Sequence, residues 1–257
     1  MQISFTAAET VRRVEQGSTA WGLMGTWVLT MVFIPIMRWT VGDAVLHWGV
    51  MFSVAALALA VVTALWQACG RWPTLWRVVT IAPLAWGLEW LGSTTGLPFG
   101  EYHYTATLQP QVAGVPLIIP LAWLMMLPPA WAVASLIVHH RRDWRFVLIS
   151  AAAFTAWDLF LDPQMVGWGY WVWANPGGYF GIPWVNFAGW LLGAVLLTVI
   201  TQPQQLPIGF LVTVYAVTWV LQTIGQLFLW HMPGPALVGG GGMGLFLVVA
   251  YLRARQA

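Results

Sequence analysis

The sequence predicts an all-α, polytopic membrane bundle of about eight transmembrane helices, with seven to nine compatible. Three observations carry this. Of 257 residues, 60% are hydrophobic and 7% charged, whereas a soluble domain is about 25% charged. The apolar residues fall into runs that reach or exceed the roughly 17 residues needed to cross a bilayer. The ten basic residues are all arginine and gather at alternate breaks between those runs. With loops this short, the whole chain, 1–257, reads as one transmembrane domain.

Taken in order, residues 1–18 are polar and read as a cytoplasmic amphipathic lead. Arg12 and Arg13 resemble a twin-arginine signal, but Glu15 and Gln16 interrupt the pattern and no small-residue cleavage site follows, so the first span is retained. The spans are 19–37, 44–69, 75–91, 116–138, 146–162, 184–202, 207–230 and 236–252. With these boundaries nine arginines share one side (Arg12, Arg13, Arg71, Arg77, Arg141, Arg142, Arg145, Arg253 and Arg255), and only Arg38 lies on the other. The positive-inside bias then puts both termini in the cytoplasm of a multi-pass protein of the cell membrane. A pI near 9.0 therefore reflects orientation and not a nucleic-acid partner. The lone Cys69 excludes an intrachain disulfide and a thiolate metal cluster.

This orientation places the two long connectors, 92–115 and 163–183, on the non-cytoplasmic side over a presumed site. Glu89, Glu101, Asp158 and Asp162 all fall in that half of the membrane. The other acids, Glu9, Glu15, Asp43 and Asp143, sit in the tail or short loops and read as solvated charges. Asp158 and Asp162 are four residues apart, which on a helix puts both carboxyls on one face, one turn apart. A charge inside an apolar span costs about 2.5–3.5 kcal/mol on insertion scales, so such acids usually face a bundle interior. A plainer reading, an acid reaching the headgroups from a helix end, stays open for both, and more for Asp162 than for Asp158, which lies a turn deeper.

Connector 92–115 carries Glu101, Tyr102, His103 and Tyr104 in a row. Strand-like alternation would turn Glu101 and His103 one way and the tyrosines the other. The expectation is a lid with the acid and the imidazole facing inward; the alternative is a surface loop with its aromatics at the interface. Connector 163–183 adds Trp168, Tyr170, Trp171 and Trp173 among turn-setting glycines and prolines. Asn186, in an apolar helix, is expected to hydrogen-bond a neighbouring helix, the alternative being contact with ligand or with a catalytic acid. Gln222 and Gln226 read as interhelical hydrogen-bond partners, and the run GGGGMG at 239–244 as a close helix approach or a local break. That run lacks the lysine and the preceding strand of a phosphate loop. The histidines have no metal-ligand spacing, and no cofactor motif is found: metal none, cofactors none.

What remains is an indole-rich chamber with carboxylic acids and no nucleophile motif or nucleotide loop. Neighbouring carboxyls in an apolar site cannot both ionise readily, so one can stay protonated and donate to an alkene. Aromatic faces can stabilise the resulting carbocation by about 2 kcal/mol or more when desolvated. A partner carboxylate can take a proton from attacking water.

Residues 89–104 (EWLGSTTGLPFGEYHY), 114–123 (GVPLIIPLAW), 158–166 (DLFLDPQMV) and 178–190 (GYFGIPWVNFAGW) resemble the membrane carotenoid 1,2-hydratases of bacteria and archaea. That family includes bisanhydrobacterioruberin hydratases and γ-carotene 1′-hydratases, and the likeness runs from about residue 80 to 195. It implies addition of water across the terminal C1=C2 bond of an acyclic ψ end group (lycopene, γ-carotene or a C50 compound), giving a tertiary 1-hydroxy carotenoid without a cofactor. It implies an acyclic carotenoid, water and the lipid bilayer as partners, no nucleic acid, and association with other membrane enzymes of carotenoid synthesis. On this resemblance Asp158 is the general acid with Glu89 beside it, and the roles of Asp158 and Asp162 can be exchanged. Asp162 and Glu101 position water, His103 or Tyr104 assists, and Trp86, Trp157 and Trp168 line the polyene, with Tyr102 and Asn186 completing the binding set. A carotenoid cyclase or isomerase, a membrane polyprenyl transferase and a non-catalytic carotenoid carrier remain as rivals.

Overall fold

Apolar runs without intervening charge leave the backbone no partner but itself, and helices follow. The computed structural model describes residues 7–139 and 142–256, with side chains from Gly17 onward. The side chains of Glu9, Arg12, Arg13 and Glu15, and all of His140 and Arg141, lie outside the described residues. The helices are α1 (Ala7–Val41), α2 (Ala44–Cys69), α3 (Arg71–Thr95), α4 (Ile118–Ile137), α5 (Trp144–Gly167), α6 (Trp184–Thr201), α7 (Ile208–Ile224) and α8 (Pro233–Ala254). Seven are long and apolar enough to cross a membrane. The exception, α3, is diluted by Arg71, Arg77 and Glu89, but its 25 residues reach about 37 Å at 1.5 Å per residue.

The buried helix at the centre is α4, ringed by α2, α3, α5, α7 and α8. On one flank α6 closes against α5 and α3, and α1 lies along α2 at the periphery. One end of the bundle gathers most of the described arginines. There the Arg77 guanidinium donates to the Gln205 carbonyl at 2.9 Å and that of Arg142 to the Pro203 carbonyl at 2.8 Å. Arg38 sits at the opposite end, paired with Asp43 at 2.7 Å and 5.5 Å from the ring centre of Trp230.

Most helix boundaries lie within a few residues of those expected, but α1 begins at Ala7, within the expected lead and not at 19, and α5 does not stop at residue 162. It runs through Pro163 to Gly167. A proline inside a helix leaves the carbonyl four residues earlier without its N–H donor. Here that carbonyl, of Leu159, accepts from the Tyr179 hydroxyl at 2.9 Å, and the next, of Phe160, accepts from the Gln226 amide at 2.7 Å. Gln226 reaches α5 from a π-helical turn, Gly225–Leu229, that extends α7. The glycine run stays helical within α8: a Cβ at Gly239 would overlap the Phe160 ring, and the Gly240 carbonyl accepts from the Trp219 indole at 2.7 Å. These glycines serve close approach, not a break.

The connectors between the helices pair with each other. Strand β1 (Tyr102–Tyr104) runs antiparallel to β4 (Trp171–Trp173), and the short β2 (Gln111–Val112) pairs with β3 (Val115–Pro116). In the first pair Tyr102 faces Trp173, His103 faces Val172 and Tyr104 faces Trp171. Replacing Tyr179→Phe should strand the Leu159 carbonyl and destabilise the protein by about 1–3 kcal/mol. The check is the thermal unfolding midpoint in detergent, and an unchanged midpoint would show that Pro163 needs no such cap.

Candidate active site

The acids of α5 meet a single amide from α6. The Asn186 side-chain nitrogen donates to Asp158 Oδ2 at 2.9 Å and also, at short range, to Asp162 Oδ2. The other oxygen of Asp162 accepts from the Trp171 indole N–H at 2.6 Å. From α3, Glu89 presents Oε2 to two phenols, and Tyr102 and Tyr104 each donate to it at 2.7 Å. All three acids and Asn186 are buried.

Two strands supply the tyrosines and the tryptophans because a strand sends alternate side chains to opposite faces. Tyr102 and Tyr104 of β1, with Trp171 and Trp173 of β4, point at the acids; His103 and Val172 point away. The lid therefore closes with phenols and indoles inward. The expected inward pair, Glu101 and His103, is exposed, and neither lines the pocket. The reason is size and polarity: four flat aromatic rings can fill the core side, while a charged acid and an imidazole keep water on the other.

Between these groups lies a cavity of about 20 Å3, lined by Glu89, Asp162, Tyr102, Tyr104, Asn186 and apolar or aromatic side chains. A water needs at least about 10–15 Å3, with two to four polar partners. The space suits one water molecule. No arginine or histidine lines it. Asp158 is one layer back, outside the lining, and its Oδ1 has no protein hydrogen-bond partner. Trp173 lines the cavity with its buried indole N–H also lacking a protein partner. Behind it, Trp190 stacks on Trp123 with ring centres 4.9 Å apart.

The other expected tryptophans are elsewhere. Trp86 stacks on the exposed Trp90 and donates to the Val112 carbonyl at 3.3 Å. Trp157 and Trp168 line a separate, larger apolar cavity. Thus Asp158, Asp162, Glu89, Asn186, Tyr102 and Tyr104 come together, whereas Glu101, His103, Trp86 and Trp168 do not join them. Trp171 and Trp173 join the site although the expected set does not include them. The alternation Trp-Val-Trp, matching Tyr-His-Tyr across the connectors, is the signal that could have found them. Among the described residues, no group of three or more His, Cys, Asp or Glu side chains is placed to hold a metal ion.

This arrangement, a multi-pass helical membrane protein with a carboxyl cluster under an aromatic lid, defines the class. The family model described as "Carotenoid biosynthesis protein" matches residues 48–246, and the chain belongs to that family. It is also 32% identical, over 154 residues, to the bisanhydrobacterioruberin hydratase of Haloarcula japonica; the match covers 58% of this chain and 52% of that relative. The chain thus matches about half the length of that relative. No solved structure matches.

Burial pushes the Tyr102 and Tyr104 phenols well above the usual range, and the charge of Glu89 beside them adds to it. Both therefore stay neutral donors through alkaline pH. In a spectrophotometric titration between about pH 9 and 11, where ordinary phenols ionise, Tyr102→Phe/Tyr104→Phe protein should lose no phenolate signal relative to wild type. A loss of two tyrosines' worth would mean that the lid is open to water.

Proposed function

We propose that the protein is a carotenoid hydratase, which adds water across the terminal C1=C2 bond of an acyclic ψ end group to give a tertiary 1-hydroxy carotenoid. The carrying observation is the water-sized cavity bounded by two carboxyls, Glu89 and Asp162, from different helices. The name of the Haloarcula japonica relative supports the same reaction class. Asp162 lines the cavity and Asp158 does not, so the acid role moves one turn along α5, from Asp158 to Asp162.

In this mechanism the protonated Asp162 carboxyl gives its proton to C2, and the C1=C2 electron pair forms the new C–H bond. The cation settles on tertiary C1, where the faces of Trp171, Trp173 and Trp190 can stabilise it. Water in the cavity forms the C–O bond and gives up a proton to Glu89, whose second oxygen is held by no phenol. A proton then returns from Glu89 to Asp162 across the same cavity, which restores the enzyme and balances the addition of one water. Asp158 acts as a positioning residue: it shares Asn186 and so sets the angle at which Asp162 meets the substrate. Glu101, His103 and Trp86 have no direct role in this scheme.

The chain then functions as one transmembrane domain, its site in the half of the bundle nearest connectors 92–115 and 163–183. The arginine distribution supports a non-cytoplasmic site and cytoplasmic termini. Expression in a lycopene-accumulating host should yield a product heavier by one water, with its oxygen drawn from isotope-labelled water. Asp162→Asn and Glu89→Gln should each lower the rate at least about 100-fold, the scale of a general acid or base, while the protein still accumulates in membranes. A ring-closed or isomerised product without labelled oxygen would replace hydration with cyclase or isomerase chemistry, and wild-type rates in both variants would remove these carboxyls from the reaction.

A further inference from the structure

The carboxyl cavity, about 20 Å3, has room for a water but for no part of a polyene. A second cavity, of about 190 Å3, lies between α1, α2, α4, α5 and α7. Nothing that lines it carries a charge, and four indoles and three thioethers contribute to its walls. Such soft, flat surfaces suit an unsaturated hydrocarbon. Leu161 belongs to both cavities, and the next residue, Asp162, lines the smaller one. The two spaces are one side chain apart.

The larger cavity also has a mouth. Val32 of α1 and Ile224 of α7 line it and are 45% and 50% exposed on the outer face of the bundle. That face is apolar, and α1 leans on α2 while barely touching α7. The opening therefore gives onto the bilayer core, not onto water. Its volume sets the occupant: a cavity of about 150 Å3 accepts a benzene ring, so this one takes one or two isoprene units and not a whole carotenoid.

Resting on the hydratase reading, we propose that this chamber receives the terminal isoprene units of an acyclic polyene laterally from the membrane. Leu161 is the partition that must swing aside for the last double bond to reach Asp162. The rest of the chain stays among the lipids. The protein then reads the end of its substrate and is indifferent to its length.

The test is lycopene retained by purified protein in lipid nanodiscs, quantified by absorbance after extraction. Val54→Trp and Met31→Trp, which fill the chamber from α2 and α1, should each lower retained lycopene at least about tenfold, the effect of about 1.4 kcal/mol in binding. Asp162→Asn/Glu89→Gln should retain it at the wild-type level. Because a new indole can also disturb folding, Val54→Cys in a Cys69→Ala background gives a second measurement. Bound lycopene should slow alkylation of that thiol by an apolar maleimide at least about tenfold. Wild-type retention in both filled variants, or alkylation unaffected by lycopene, overturns the chamber. If the chamber results hold but no water is ever added, the hydratase reading falls and the binding site stands. Acyclic isoprenoids of different length with the same end group should compete within about threefold, less than 1 kcal/mol; a steep dependence on length overturns the claim that only the end is read.

Discussion

One amide nitrogen holds two acids. Asn186 spends both of its N–H bonds on Asp158 and Asp162, and so ties α6 to α5 at the depth where the chain is otherwise apolar. Burying carboxyls is costly unless they accept hydrogen bonds, and in hydrocarbon the protein must supply those donors itself. The rest of the architecture follows from meeting that need. Trp171 comes from one connector, Tyr102 and Tyr104 from the other, and the strand pairing brings them together. None of these donors is a cation, so the cluster is solvated by neutral dipoles and can exchange protons instead of locking into salt bridges.

The second constraint is Pro163. It sits directly after Asp162, where a broken helix would let the acid wander. Tyr179 and Gln226 bond the two neighbouring carbonyls, so the helix continues and the acid keeps its place. Gln226 can do so because α7 widens into a π turn there, a distortion often found at functional sites. The same turn borders the apolar chamber through Gly225 and Leu229. A single irregularity thus supports both the acid helix and the wall of the space beside it.

The aromatic residues divide by task. Trp123 of the central helix, Trp190 and Phe154 pack as an aromatic block beside the site, with ring centres 4.8–5.3 Å apart. Trp171 and Trp173 face the acids, and Trp157 and Trp168 face the chamber. Others, such as Trp48, Trp72 and Trp144, are exposed near helix ends, where indoles suit the membrane interface. Twenty tryptophans in one chain serve all of these roles, and composition does not sort them.

By itself the sequence determined the membrane class, the approximate helices, the acids of the site and the polar partner Asn186, because hydropathy and helical period are local properties. The i, i+4 spacing of Asp158 and Asp162 is enough to put them on one face wherever that helix packs. Which acid borders the cavity, and which face of the Glu101–Tyr104 strand turns inward, was left to the tertiary structure. A strand's alternation defines two faces without choosing between them. The choice came from pairing with Trp171–Trp173, far along the chain, where two rings and two phenols could bury against Glu89 and Asp162 together. Each alternation is visible locally, but no local pattern says that these two strands pair.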